Sequence, residues 1–361
     1  MSHPCTIHCS FWKLVPLLQL FGCGEIVLQT TDELESSSNP TMSDAGIVND
    51  TFSISGSSLT DLCGTPVVLR GVNEMPTFKY DSKDGSSYFG EITQTNANAV
   101  RLYWQTSDSA EDLDRLLLNA EAKRLIPVIY AFNNANTNST TTFSDAAAYW
   151  TSRDVLPIVL KHRQWLILAL RERSAAGASA VETDWAANVD AAVKLMRQAG
   201  INVPLAVDAP QYGIDTVTLA QVASDRILAD PRQNIIFSVN AWWPNISYDQ
   251  IRSYIAAASN TGLPTMIGEF SGYAQGNPEC LNVTFDYATV IQLSQDARTS
   301  WFAWSWGAAP NTPPCTTFNM TSDGKFAGLY GWGLDVAVTN PNSIRNTSVA
   351  PTFVPGAGCP K

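Results

Sequence analysis

Apolar residues fall along this chain in two rhythms. One consists of short, nearly continuous runs: Pro66 to Asn73, Ala97 to Trp104, Ile126 to Phe132, Trp165 to Glu172, Val203 to Asp208, Asn234 to Trp242, Pro264 to Phe270 and Ser300 to Trp306. Runs of this length with little alternation predict parallel strands covered on both faces. The other rhythm is helical and fills the gaps. Ser109 with Asp112 predicts an N-terminal cap ahead of LDRLLLNAEAKR. After Thr183, the residues Trp185, Val189, Val193 and Met196 recur three or four apart, and Gly200 marks a stop. The segments DVLPIVLKH, TLAQVASDRILAD, YDQIRSYIAAASNTG and YATVIQLSQDART are patterned similarly, with Pro157 weakening the first. Strands alternating with helices, with no long linker between them, predict an α/β fold: a single-domain (β/α)8 TIM barrel over residues 51–361. A doubly wound open sheet is the structural alternative.

The beginning of the chain breaks both rhythms. Phe11 to Cys23, FWKLVPLLQLFGC, is an apolar run interrupted by Lys13 and Pro16. It suits the hydrophobic part of a signal peptide and falls short of the roughly 20 residues that span a bilayer. Residues 1–24 therefore read as a signal peptide or leader, and 25–50, around TTDELESSSNPTMSD, as a polar linker. Secretion is the expected location. Cys5, Cys9 and Cys23 lie in the leader, leaving Cys63, Cys280, Cys315 and Cys359 in the body. Their wide spacing matches no CxxC metal site, and three pairings are open. Cys63 with Cys359 and Cys280 with Cys315 is the pairing expected in an oxidising compartment.

Composition narrows the partners. The formal charge of -11, from 33 acidic and 22 basic side chains, opposes a nucleic-acid backbone or an anionic membrane surface and leaves neutral polymers open. Eleven Trp and eleven Tyr supply flat amphipathic rings beyond what most cores of this size require. No GxGxxG or GxxxxGK follows an early strand, so no nucleotide cofactor is expected. The only histidines are His3, His8 and His162, two of them in the leader, which leaves almost no material for a zinc site or a histidine-based triad. His162 reads as a surface or packing residue.

In a barrel the chemistry sits at the C-terminal ends of the strands. Glu172 closes the fourth predicted strand and Glu269 the seventh. A carboxylate ending an apolar strand is costly without a partner, and two at one rim point beyond a salt bridge or helix cap. Two carboxylates are what retaining glycoside hydrolysis requires: one attacks the anomeric carbon, the other protonates the departing oxygen and then activates water, with the carboxyls about 5 Å apart. Arg101, Tyr103 and Trp104 end the second strand, Asp208 the fifth, Asn240, Trp242 and Trp243 the sixth, and Trp304 and Trp306 the eighth. An arginine beside a nucleophilic carboxylate holds it ionised. Indole rings cover the apolar faces of pyranose rings, and alternation in WFAWSW places Trp304 and Trp306 on one face.

With these residues in view, the chain resembles glycoside hydrolase family 5, in particular bacterial cellulases and β-mannanases. The likeness runs from about Gly56 to Ser348 and rests on TNANAVRLYWQT, IPVIYAF, VPLAVDAPQYG, NIIFSVNAWWP, PTMIGEFSG, WFAWSWG and SDGKFAGLYGWGLDVAV. It implies Glu269 in IGEF as nucleophile, Glu172 as acid/base and Arg101 in support. It also implies an extracellular enzyme acting on a β-1,4-linked polysaccharide without a cofactor. Three positions depart from the family's pattern. Arg171 stands where the family has Asn before its acid/base glutamate, Asn240 replaces a His on the sixth strand, and Phe132-Asn133 replaces His-Asp after the third. The family's Asn reaches the sugar 2-hydroxyl, a contact that strengthens in the transition state. Arginine has no acceptor and a fixed charge, and it favours the ionised form of Glu172 when an acid must start protonated.

Two functions are consistent with this sequence. One is a retaining endo-β-1,4-glycanase acting on mannan or glucan with reduced activity. The other is a catalytically impaired barrel that binds a β-linked polysaccharide or oligosaccharide through Trp242, Trp243, Trp304 and Trp306. Asn133 and Arg171 are counted with Arg101, Trp104, Asp208 and Asn240 among the residues expected to contact sugar. Either way the expectation is a monomer, with no metal and neither nucleic acid nor membrane as partner.

Overall fold

The structure, a computed structural model, describes residues 50–76, 82–133, 142–171, 181–242, 248–260, 262–274, 283–307 and 315–360. The leader and all of the linker except Asp50 lie outside them, as do Glu172, Trp243 and Cys280.

Eight parallel strands close into a barrel: β1 (Arg70–Glu74), β2 (Ala99–Gln105), β3 (Ile126–Phe132), β4 (Ile167–Leu170), β5 (Leu205–Asp208), β6 (Ile235–Asn240), β7 (Thr265–Glu269) and β8 (Ser300–Ala303). The last strand pairs back onto the first, with Trp301 opposite Arg70 and Ala303 opposite Val72. That pairing excludes the open sheet. Each predicted run overlaps one strand, although several ends differ, β1 and β2 each reaching one residue further. Trp165 belongs to a 3-10 turn, Arg163–Trp165, ahead of β4. The eighth strand stops at Ala303, before Trp304 and Trp306.

Helices follow the strands in turn: α1 (Phe89–Thr93), α2 (Ala110–Ala122), α3 (Phe143–Trp150), α4 (Val181–Gln198), α5 (Thr216–Ala229), α6 (Tyr248–Asn260) and α7 (Tyr287–Asp296). The predicted cap forms, the Ser109 hydroxyl accepting from the Asp112 amide at 3.1 Å. Trp185, Val189, Val193 and Met196 are all buried on one face of α4, and Gly200 beyond its end takes φ of +86°. Pro157 stands in the first turn of a short helix, Leu156–Lys161, where its missing N–H has no intrahelical partner to lose.

Strand alternation divides the apolar residues into two shells. Val100, Leu102 and Trp104 face outward and pack with Leu113, Leu116 and Leu117 of α2. Ala99, Val128, Ala169, Ala206, Met266 and Phe302 fill the barrel interior. Beneath them an antiparallel hairpin, Ser53–Ser55 with Ser58–Thr60, lies against the N-terminal ends of the strands, its Ile54 amide donating to Asn234 Oδ1 just ahead of β6. Phe52 meets the Trp165 ring at 5.7 Å between centroids, and Phe353 from the tail meets the same indole at 6.2 Å. Burying such rings stabilises by roughly 1.5–3 kcal/mol each. The Cys63–Cys359 disulfide forms as expected and fastens the segment after the hairpin to the C-terminal tail. The second expected bridge involves Cys280, outside the described residues.

Candidate active site

Alternation also decides which polar side chains enter the barrel mouth. It turns inward Asn73 of β1, Arg101 and Tyr103 of β2, Tyr130 of β3, Asp208 of β5, and Ser238 and Asn240 of β6. On β7 a register shift beside Val239 and Asn240 sets Glu269 opposite Asn240, with Gly268 as the extra residue. A Cβ at Gly268 would lie 2.3 Å from Ser238 Oγ and 2.9 Å from Asn240 Oδ1, so only glycine lets β7 approach this floor.

Arg101 is the hub, with no solvent exposure. Its Nη1 donates to Asn73 Oδ1 at 2.8 Å, Tyr103 Oη at 2.7 Å and Glu269 Oε1 at 2.8 Å. Its Nη2 donates to Tyr130 Oη at 2.6 Å and to Asp208 Oδ1 at 3.3 Å. The two tyrosines stack at 5.2 Å and pass their own hydroxyl protons outward, Tyr103 to Glu269 and Tyr130 to Asp208. Asn240 Nδ2 donates to the other oxygen of Asp208 at 3.2 Å. Arg171, immediately after β4, reaches back over the mouth. Its Nη1 donates to Glu269 Oε1 at 2.8 Å and Tyr103 Oη at 2.7 Å, and its Nε lies 3.6 Å from Asp208. The Glu269 Oε2 accepts from Trp242 Nε1 at 2.7 Å.

These contacts fix the charges. Burial alone would raise the Glu269 pKa; the Arg171 charge and then the Arg101 charge, with hydrogen bonds from Arg101 and Tyr103, outweigh it and bring the pKa down to about 2. Burial likewise works against the Arg171 guanidinium, yet Glu269, Tyr103 and Asp208 hold its pKa above the usual arginine value. Tyr103 is pushed well up, burial outweighing the two arginines, and stays a neutral donor. Glu269 is thus an ionised carboxylate whose Oε1, among the described residues, takes three donors while Oε2 takes a single indole N–H.

Of the residues singled out in the sequence, Arg101, Arg171, Asp208, Asn240, Trp242 and Glu269 converge here. Trp304, half-buried, stands edge-on to Tyr103 at 5.4 Å and to Trp242 at 6.4 Å. Asn133 is exposed just beyond β3. Trp104 and Trp306 lie elsewhere. The alternation that turns Arg101 and Tyr103 inward turns Trp104 outward, fully buried with its Nε1 on Tyr149 Oη at 2.7 Å. Because β8 ends at Ala303, Trp306 does not share a face with Trp304; it is buried and donates to the Gly324 carbonyl at 2.8 Å. His162 is a packing residue, its ring nitrogens 2.8 Å from Asp114 and 2.6 Å from Glu121 of α2. Tyr130, Asn73 and Ser238 join the site without having been singled out. Their signal was a polar group at an inward position of an otherwise apolar strand.

A closed barrel that gathers two arginines and two carboxylates at its C-terminal rim defines an α/β-barrel enzyme scaffold with a polar, charged mouth. Residues 161–310 match the family model described as cellulase (glycosyl hydrolase family 5). The chain is similar to a mannan endo-1,4-beta-mannosidase of Cellvibrio japonicus, 25% identical over 85% of this chain and 70% of the relative. It is similar to another of Streptomyces lividans, 26% identical over 82% and 75%. Among solved structures, the beta-mannanase from Streptomyces thermolilacinus superposes with a TM-score of 0.73 at 26% identity, covering 84% of this chain and 99% of that one. The family model, these relatives and this structure together support a likeness to glycosyl hydrolase family 5.

Proposed function

We propose that this protein is a secreted, retaining endo-β-1,4-glycanase acting on mannan, with turnover held down by Arg171. The observation that carries the proposal is the state of Glu269, an ionised carboxylate at a strand end with Oε1 taking three donors and Oε2, among the described residues, held by one indole N–H. In this reading Oε2 attacks the anomeric carbon as the glycosidic C–O bond breaks, and the Glu172 carboxyl gives its proton to the departing oxygen. The resulting glycosyl ester is then cleaved by water, which loses its proton to the Glu172 carboxylate. Mannan is favoured over glucan because the relatives matched over more than four-fifths of this chain are named mannan endo-1,4-beta-mannosidases. The Cys63–Cys359 disulfide supports an oxidising, extracellular setting. No helix among the described residues is long and apolar enough to cross a membrane.

One observation favours a second reading, a barrel that binds β-linked polysaccharide without cleaving it. Where the family places a neutral amide, Arg171 puts a guanidinium 2.8 Å from Glu269 Oε1, beside the sequence position of the acid/base. Both readings meet one experiment: release of reducing ends from β-1,4-mannan, cellulose and mixed-linkage glucan by the purified protein, beside Glu269→Ala. The proposal expects mannan to be cleaved and the variant to lose about 10³-fold or more of the rate. Retention on mannan with no reducing ends from any substrate would establish the second reading instead. Cleavage that survives Glu269→Ala would remove Glu269 from the chemistry.

A further inference from the structure

Arg70 opens β1 at the barrel's other end and is 1% exposed. A buried charge ordinarily has a counter-charge, because leaving water unpaired is costly. Arg70 has no carboxylate partner among the described residues. Its Nε donates to Thr347 Oγ1 at 3.2 Å, its Nη1 to the carbonyls of Leu69 at 3.1 Å and Thr299 at 2.8 Å, and its Nη2 to Gln295 Oε1 at 2.6 Å. Every one of those acceptors is neutral. The guanidinium also lies 5.2 Å from the centroid of the Trp301 ring, a neutral surface. Burial pulls its pKa down to about 9, still leaving it a cation at neutral pH.

The space beside Arg70 completes the picture. A cavity of about 310 Å³ under the barrel is lined by Arg70, Gln295, Ser300, Thr347 and a second arginine, Arg298. Arg298, exposed just after α7, likewise has no carboxylate partner among the described residues. A guanidinium has five N–H groups, and the bonds above leave one on Arg70 Nη2 without a protein acceptor. Gln295 spends its Oε1 on Arg70, which leaves its amide N–H groups for another acceptor. Two arginines and Gln295 thus line one small space, whose remaining wall includes the apolar side chains of Leu59, Val67, Val68 and Pro351.

We infer that the cavity under the barrel, between Arg70 and Arg298, is a binding site for a small tetrahedral oxyanion, phosphate or sulfate, which serves as the missing counter-ion of Arg70. The site lies at the N-terminal ends of the strands, the face that governs barrel stability and not chemistry. Occupancy therefore stabilises the fold by mass action and leaves the mouth untouched.

The test is thermal unfolding of the full chain in phosphate, in sulfate and in chloride at matched pH and ionic strength, with 31P line broadening of phosphate as a direct readout. The expected result is a rise in Tm that saturates with phosphate or sulfate, exceeds that in chloride, and is accompanied by broadening of the phosphate signal. Arg298→Gln, at an exposed position, is expected to abolish both effects while keeping its Tm in chloride; Arg70→Gln should do the same if it folds. A Tm that climbs without saturation is general stabilisation by an ion excluded from the protein surface and would overturn the inference. An undiminished saturable rise in Arg298→Gln, or none in the unsubstituted protein, would overturn it as well.

Discussion

Arg101 and Arg70 are buried equally deeply at opposite ends of one barrel, and their surroundings treat the charge in opposite ways. Arg101 is met by two carboxylates and two tyrosines. Arg70 is met by carbonyls, an amide oxygen and a hydroxyl. At the mouth the cation depresses a neighbouring carboxylate and so fixes its protonation state. At the base it fastens β1 to α7 and the tail, and no carboxylate among the described residues compensates its charge. Depth of burial alone does not reveal what an arginine is for. The formal charges of its acceptors do.

Removing each arginine should separate the two ends most sharply. Arg101→Met leaves Glu269 and Asp208 buried with one cation fewer, and a loss of about 3–5 kcal/mol is expected at neutral pH. Arg70→Met leaves neutral acceptors without donors, a loss of about 1–3 kcal/mol. Urea unfolding of both variants measures the difference, and equal losses would erase the distinction drawn here.

Acid should come next in size. The Glu269 pKa falls from an ordinary 4.5 to about 2 in the folded protein. Because it is depressed, its contribution is complete above about pH 4.5 and disappears as pH falls through 2, and its magnitude is roughly 3 kcal/mol. Stability measured from pH 6 down to 2 should therefore drop more steeply in the unsubstituted protein than in Glu269→Gln. Parallel curves would mean that the mouth does not hold its carboxylate as the geometry indicates.

Arg171→Asn carries the smallest energetic change and the most specific readout. Removing the largest favourable charge on Glu269 should raise its pKa and move the acid limb of the kcat/KM profile on mannan to higher pH. It should also ease protonation of Glu172, with an expected gain of about tenfold in rate, equivalent to about 1.4 kcal/mol of barrier. An unchanged or lower rate would clear Arg171 of limiting turnover.

Most of the barrel was legible because a strand buried on both faces must be apolar throughout, and that pattern survives in one sequence. Glu269, Arg101 and Asp208 were legible as charged residues at the ends of such runs. Trp104 was misplaced among the sugar contacts, although the two-residue period that brings in Tyr103 already sends it outward. Trp306 was misplaced because the end of β8 depends on pairing with β1 and β7, which a local pattern does not record. The shift beside Val239, which seats Glu269 against Asn240, has the same origin. The partners of Arg171 were hidden for another reason: a long side chain selects its acceptors among strands far apart in sequence.

The bridge between Cys63 and Cys359 joins residues separated by 296 positions, so it encircles nearly every strand and helix in a single covalent ring. In the chain-entropy view such a ring narrows the unfolded ensemble by about 5–6 kcal/mol. It also changes what a cut can do. A protease that severs one loop at the barrel rim opens the ring at one point and releases no piece, so the two halves travel as one molecule until a reductant parts them. For a protein proposed to work outside the cell, damage at the surface would then be a nick the barrel can survive and not a loss of half its strands.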